Sequence, residues 1–400
     1  MPIDRIFARY RVALGLATLL MVGMSWPLWL DDPDFPRIPF LGGLPVLPGW
    51  VSVVNLGGII LSLILASLGR WGRATIAASI GLIAFAVVQD QNRLQPWVYQ
   101  YLVIGIGLVG LTRARALALA RWYTVALYAY SGLSKLDLSF CRELGPTFLS
   151  AGLGLVGQSA ERWPESLRTL AILAMPGSEI VVAGFLAFRS TRRVGLVGSM
   201  IFHGVLVLIL GPWCLGHSAI VLVWNLAQVI ENLCLFLPTD LPTDAGKGSK
   251  LAPLAWLIGA IALILPIGER AGWADAWPSH ALYASHAERS DVSIHGDDLD
   301  KYPETIRRHL GPVNATPWRH LDLTGWSREV RGTPLYPSGR IGNGVAEFLA
   351  SRYGGINPIR LIQWSRAAPL TGERSRDESL GLRAIRRRAD RFLLNARPAF

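Results

Sequence analysis

Apolar residues along this chain fall in long runs rather than in alternation, and the runs are closed by Gly, Pro or arginine. A helix that spans a bilayer needs about 20 mostly apolar residues. The pattern predicts nine such spans, over 12–30, 50–68, 74–89, 97–112, 121–136, 169–188, 194–211, 218–237 and 252–268. The first follows Arg5, Arg9 and Arg11 as a signal peptide would. However, "WPLWLDDPDFP" offers no small-residue cleavage site, so a retained helix is expected. Beyond residue 268 polar and charged residues run throughout. Short alternating stretches in "HALYASHAERSDVSIHG" and "IRLIQWSRA" predict strands. "SGRIGNGVAEFLASRYGG" predicts a loop entering a short helix that stops at Gly354-Gly355. The expected fold class is an all-α polytopic membrane bundle, residues 1–268. It carries a small α+β domain, residues 269–400, that ends in a basic tail, "LRAIRRRADRFLLNARPAF".

Charge then orients the spans. Arg5, Arg9 and Arg11 precede the first, and Arg70 and Arg73 follow the second. Arg113, Arg115 and Arg121 separate the fourth and fifth, Arg189, Arg192 and Arg193 the sixth and seventh, and Lys247 and Lys250 the last two. If nine spans alternate, all five groups share one side. The positive-inside rule makes that side cytoplasmic, with the N-terminus on it and the C-terminal domain extracytoplasmic.

Composition agrees: 51% of residues are hydrophobic and 17% charged, and mean hydropathy is +0.36. Soluble domains carry about 25% charged residues. The net charge of +11 is spread over loops and the C-terminal part without basic-aromatic interleaving, so nucleic acid is not an expected partner. Cys141, Cys214 and Cys234 have neither disulfide-framework nor zinc spacing, and no metal is expected. "DDLDKYPE" lacks the glycine and closing glutamate of a calcium loop.

Only four of the 39 basic residues are lysine, and one of them, Lys135, closes the fifth span. A snorkelling cation paired with Asp137 is the plain reading. Arginine snorkels equally well, though, whereas lysine alone of the two titrates, so a proton-accepting amine is the sharper reading. Other polar groups are expected on the same outer leaflet. These are Asp90, Gln91, Asn92 and Gln95 after the third span, His203 within the seventh, and His217 in the turn before the eighth, with Trp224 and Asn225 following inside it. Glu179, after "MPGS", is a buried-carboxylate candidate. Trp97, Tyr101 and Trp213 read as interfacial aromatics.

"VALYAYSGLSKLDLSFCRELGPTFL" resembles the signature of the horizontally transferred transmembrane domain (HTTM) family, which includes the vitamin K-dependent gamma-glutamyl carboxylase. The resemblance rests on Tyr130, Ser131-Gly132, Lys135, Leu136-Asp137, Phe140 and Gly145. Phe202-His203 is similar to a later family motif. The loop where the family carries an Asn-His pair has Asn92 and no histidine. The resemblance implies a nine-span domain over residues 5–268 and a quinol-dependent, lyase-type chemistry. Reduced vitamin K or another quinone would be the lipid-soluble cofactor and Lys135 the base. His203 and Asp137 would stand beside that base, with Asp90, Asn92, Tyr130, His217, Trp224 and Asn225 around the cofactor. Two other readings stay open. One is a non-catalytic membrane scaffold or redox partner whose outer domain binds an envelope protein. The other is a transporter, although no inverted repeat is visible.

Overall fold

The computed structural model describes every residue except 1, 243–245, 247 and 313–315. Lys247, read above as a loop cation, therefore lies outside the described residues. Among the described residues, nine helices of a dozen residues or more follow one another before residue 265, with shorter ones in the loops, Leu144–Gly154 the longest of these. The nine are α1 (Ile3–Met24), α2 (Gly49–Ser67), α3 (Arg73–Gln89), α4 (Pro96–Gly110), α5 (Arg113–Ser134), α6 (Glu165–Ala187), α7 (Arg192–Leu210), α8 (Ala219–Phe236) and α9 (Ala252–Ile264). Five of them, α1, α2, α6, α7 and α8, are long and apolar enough to cross a membrane. Three, α3, α4 and α9, are apolar but shorter, and α5 carries Arg113, Arg115 and Arg121 along its 22 residues. α1 starts at Ile3 rather than at residue 12 because the early arginines are good helix formers that extend it toward the N-terminus.

The outer faces of these helices expose Leu16, Leu20, Val53, Val54, Ile201 and Val205, a surface that water disfavours and hydrocarbon accepts. Their inner faces share one core that includes Leu14, Ile59, Leu63, Ile104 and Leu117. α5 and α6 approach each other closely. A Cβ on Gly132 would stand 2.7 Å from the Pro176 carbonyl oxygen and 2.7 Å from Ile180 Cγ1. Only glycine lets the two helices meet there, and that contact sets the spacing of the site described below.

The remaining chain folds into a four-stranded antiparallel sheet ordered β2-β1-β3-β4. The strands are β1 (Arg289–His295), β2 (Trp318–Leu321), β3 (Arg360–Trp364) and β4 (Arg376–Leu380). Val292 in β1 faces Leu321 on one side and Leu361 on the other, and all three are fully buried. Helices α10 (Leu323–Arg331), α11 (Gly339–Arg352) and α12 (Gly381–Ala389) complete this part. α11 lies so close to β1 that a Cβ on Gly342 would overlap the Ser290 side chain. The division at residue 268 is incomplete: Phe35 and Ile38, from the loop after α1, belong to the core of the sheet.

Candidate functional site

Lys135 caps the C-terminal end of α5 and is buried. Its stem folds back along the helix, so Nζ donates to the Ser131 carbonyl oxygen at 2.8 Å and to Ser131 Oγ at 2.7 Å. Because Gly132 brings α6 close, Nζ also reaches Glu179 Oε1 at 2.9 Å and Oε2 at 3.1 Å. Four oxygen atoms thus surround the nitrogen. The side chain turns inward to these oxygens rather than outward to headgroups. Both side chains of the ion pair are more than nine-tenths buried.

Asp137 does not pair with Lys135. Its Oδ1 accepts from the Phe140 amide at 2.7 Å, which starts a short helix. Its Oδ2 meets His286 Nδ1 at 2.9 Å and Arg270 at 3.1 Å. His286 Nε2 in turn meets Glu269 Oε2 at 2.9 Å, so one imidazole bridges two carboxylates. Burial pulls the His286 pKa down, but the hydrogen bonds to Asp137 and Glu269 outweigh it and the net shift is upward. Burial pushes Asp137 up, yet the His286 bond, the Phe140 amide and the charges of His286 and Arg270 hold it below the usual carboxylate range. The His286 contribution to stability is therefore full below about 6.5, its ordinary value, and is lost as pH rises through its raised folded value. The Asp137 contribution is full above about 3.9 and is lost as pH falls through its lowered folded value. His286→Gln is expected to cost about 3–5 kcal/mol. In thermal unfolding of the protein in nanodiscs, this variant should lose the alkaline fall of the melting temperature expected of the natural chain.

A second cluster is built on α8. His203 Nε2 lies 2.6 Å from Tyr128 OH, and its Nδ1 lies 2.8 Å from Asn225 Oδ1. Asn225 Nδ2 donates to the Val221 carbonyl at 2.8 Å, which turns its oxygen toward the ring. Nδ1 therefore carries the hydrogen, and Nε2 accepts from the Tyr128 hydroxyl. Asn232 Nδ2 donates to the same hydroxyl at 2.9 Å. A third cluster centres on Gln100, whose Oε1 accepts from Trp224 Nε1 at 3.0 Å and from Gln228 Nε2 at 2.6 Å.

Lys135, Glu179, Tyr128, His203, Asn225, Trp224 and Gln228 all line one cavity of about 340 Å³. Its other walls are apolar, among them Leu127, Phe140, Phe148, Phe202 and Ile209. Residues from the C-terminal part, including Trp277, Tyr283 and Arg328, also line it. His217 stands on the wall as well, 3.4 Å from the Tyr283 hydroxyl through Nδ1.

Four expected site residues lie elsewhere. Asp90 forms a buried ion pair with Arg331 at 3.0 Å. Asn92 donates to Asp90 Oδ1 at 3.1 Å and accepts from the Tyr336 amide at 3.4 Å. These two join the helices to the sheet domain and do not line the cavity. Tyr130 donates to the Leu263 carbonyl at 2.8 Å and ties α5 to α9, and Asp137 belongs to the His286 bridge. Conversely, Tyr128, Gln228 and Asn232 were not singled out from the sequence. Their signal is polar residues at helical spacing inside apolar spans, as in Asn225, Gln228 and Asn232 along one face of α8.

Comparison of the chain with protein-family models, curated proteins and solved structures finds no match in any of the three. The geometry alone defines the class: a mostly helical protein with the build of an integral membrane protein, holding an ion pair and a hydrogen-bonded Tyr-His pair in one apolar cavity.

Proposed function

We propose that this chain is a nine-span membrane enzyme of the HTTM kind. Its N-terminus faces the cytoplasm and its sheet domain lies outside the cell, and it uses a reduced quinone bound in the cavity. The arginine asymmetry of the loops supports the orientation. The observation that carries the function is the placement of the Lys135–Glu179 pair on the wall of an apolar cavity. Greasy walls with a few convergent polar groups suit a lipid-soluble ring, and the donors and acceptors present match ring hydroxyls. A bound quinol would supply two electrons and two hydroxyl protons to dioxygen, giving quinone and hydrogen peroxide, with the first proton passing by way of Glu179. Glu179 receives that proton on a carboxylate oxygen. Lys135 stays beside it as the cation that offsets the charge left on the ligand, a partnership worth most where water is excluded. Tyr128, held by His203 and Asn232, fixes a ligand oxygen in place.

Menadiol binding to the full-length chain in nanodiscs tests the reading. Leu206→Trp, which fills the cavity, is expected to weaken binding at least about tenfold, a loss of about 1.4 kcal/mol. Menadiol affinity unchanged by this substitution would remove the cavity as the site. No binding at all would return the sheet domain, and an envelope protein partner for it, as the functional element.

A further inference from the structure

Glu231 lies on α8 just beyond Gln228 and is buried. Its Oε2 accepts from Gln100 Nε2 at 2.7 Å and from Tyr10 OH at 3.5 Å. Both donors are neutral, and among the described residues no cation pairs with this carboxyl. Glu179 differs in having Lys135 beside it. A bare carboxylate away from water costs several kcal/mol, and an unpaired ionisable group inside a membrane helix marks a proton-handling position.

Its depth is informative. At about 1.5 Å per residue, Glu231 stands roughly 8 Å from the Phe236 end of α8 and roughly 10 Å from Trp224 on the cavity wall. α1 packs along α8, and Tyr10 lies near the N-terminal start of α1. Glu231 therefore sits between the cavity and the face of the membrane that carries the N-terminus. Gln100 links the two places, since its amide nitrogen donates to Glu231 while its oxygen accepts from Trp224 and Gln228. The titratable groups that feel the carboxyl are Tyr10 on α1, Tyr123 on α5 and Cys234 on α8 itself, and that cysteine also feels Arg9 on α1. α4 presents the Gln100 amide.

We infer that Glu231 is a proton-binding site that exchanges with the N-terminal face of the membrane and sets the proton occupancy beneath the cavity. On uptake an O–H bond forms at its carboxyl as a hydronium ion of that face gives up its proton and becomes water. On release that bond breaks and water takes the proton to become hydronium again. The inference does not depend on which ligand the cavity holds.

Infrared difference spectroscopy on oriented proteoliposomes, without any quinone, tests it. The natural protein is expected to show a protonated-carboxyl band at neutral pH that shifts in heavy water and disappears in Glu231→Gln. The band should follow the pH of the N-terminal side alone. Absence of the band, its persistence in Glu231→Gln, or a response only to the opposite side overturns the inference. Gln100→Leu supplies a second reading should Glu231→Gln fail to fold. Removing the strongest donor to the carboxylate should move the midpoint of the band to higher pH, and an unmoved midpoint also counts against the site.

Discussion

Lys135→Met should lose both stability and turnover, and the two losses should separate in a double variant. The substitution leaves Glu179 as a lone carboxylate among Ser131 and apolar walls. Breaking one side of a buried pair costs about 3–5 kcal/mol, whereas replacing both sides with apolar groups of similar volume is often neutral. Lys135→Met/Glu179→Leu is therefore expected to recover most of the melting temperature lost in Lys135→Met. It should not recover menadiol oxidation, because a positioned proton acceptor contributes about 10²–10⁴-fold. Thermal unfolding and oxygen uptake on the same nanodisc preparations give both readings. Activity that returns together with stability would make the pair a purely structural device.

Arg331→Met should loosen the sheet domain from the helices. Arg331 is fully buried and donates to the Leu28 carbonyl at 2.7 Å, to the Leu30 carbonyl at 3.0 Å and to Asp90 at 3.0 Å. It thereby ties α10 to the segment that follows α1 and to the turn after α3. Its loss leaves Asp90 without this cation and the Leu30 carbonyl without this donor, while Arg93 still donates to the Leu28 carbonyl at 3.0 Å, with an expected cost of about 3–5 kcal/mol. Limited proteolysis should then cut between residue 268 and the sheet at a lower protease concentration than in the natural chain. Because Trp277, Tyr283 and Arg328 line the cavity from this domain, menadiol affinity should fall in parallel. Asp90→Asn keeps the shape and removes the charge, and should reproduce part of both effects.

The helices were legible because a lipid-facing surface must be apolar over a whole span, and that demand is written into consecutive residues. Lys135 was legible for a related reason: a cation at the end of such a run stands out locally. Its partner was harder to identify. Asp137, two residues away, was the nearer choice in the chain, but Gly132 brings Glu179 from another helix to within 2.9 Å. Asp90 and Asn92 read as site residues because a polar loop looks the same whether it faces a ligand or an arginine 241 residues later. Gln100 and Gln228 went unnoticed inside apolar stretches, since their meaning comes from meeting each other across helices. The contribution of the C-terminal part to the cavity was invisible for the same reason: it depends on how the sheet domain sits on the bundle.

The central claim is that Glu179, held by Lys135, takes a proton from a ligand in the cavity. Glu179→Gln tests it most directly, because the amide keeps the size and a hydrogen bond to Lys135 but is no longer a base. The account predicts menadiol affinity close to that of the natural protein and a rate of menadiol oxidation lowered by about two orders of magnitude or more. Oxidation at the natural rate in Glu179→Gln would contradict it.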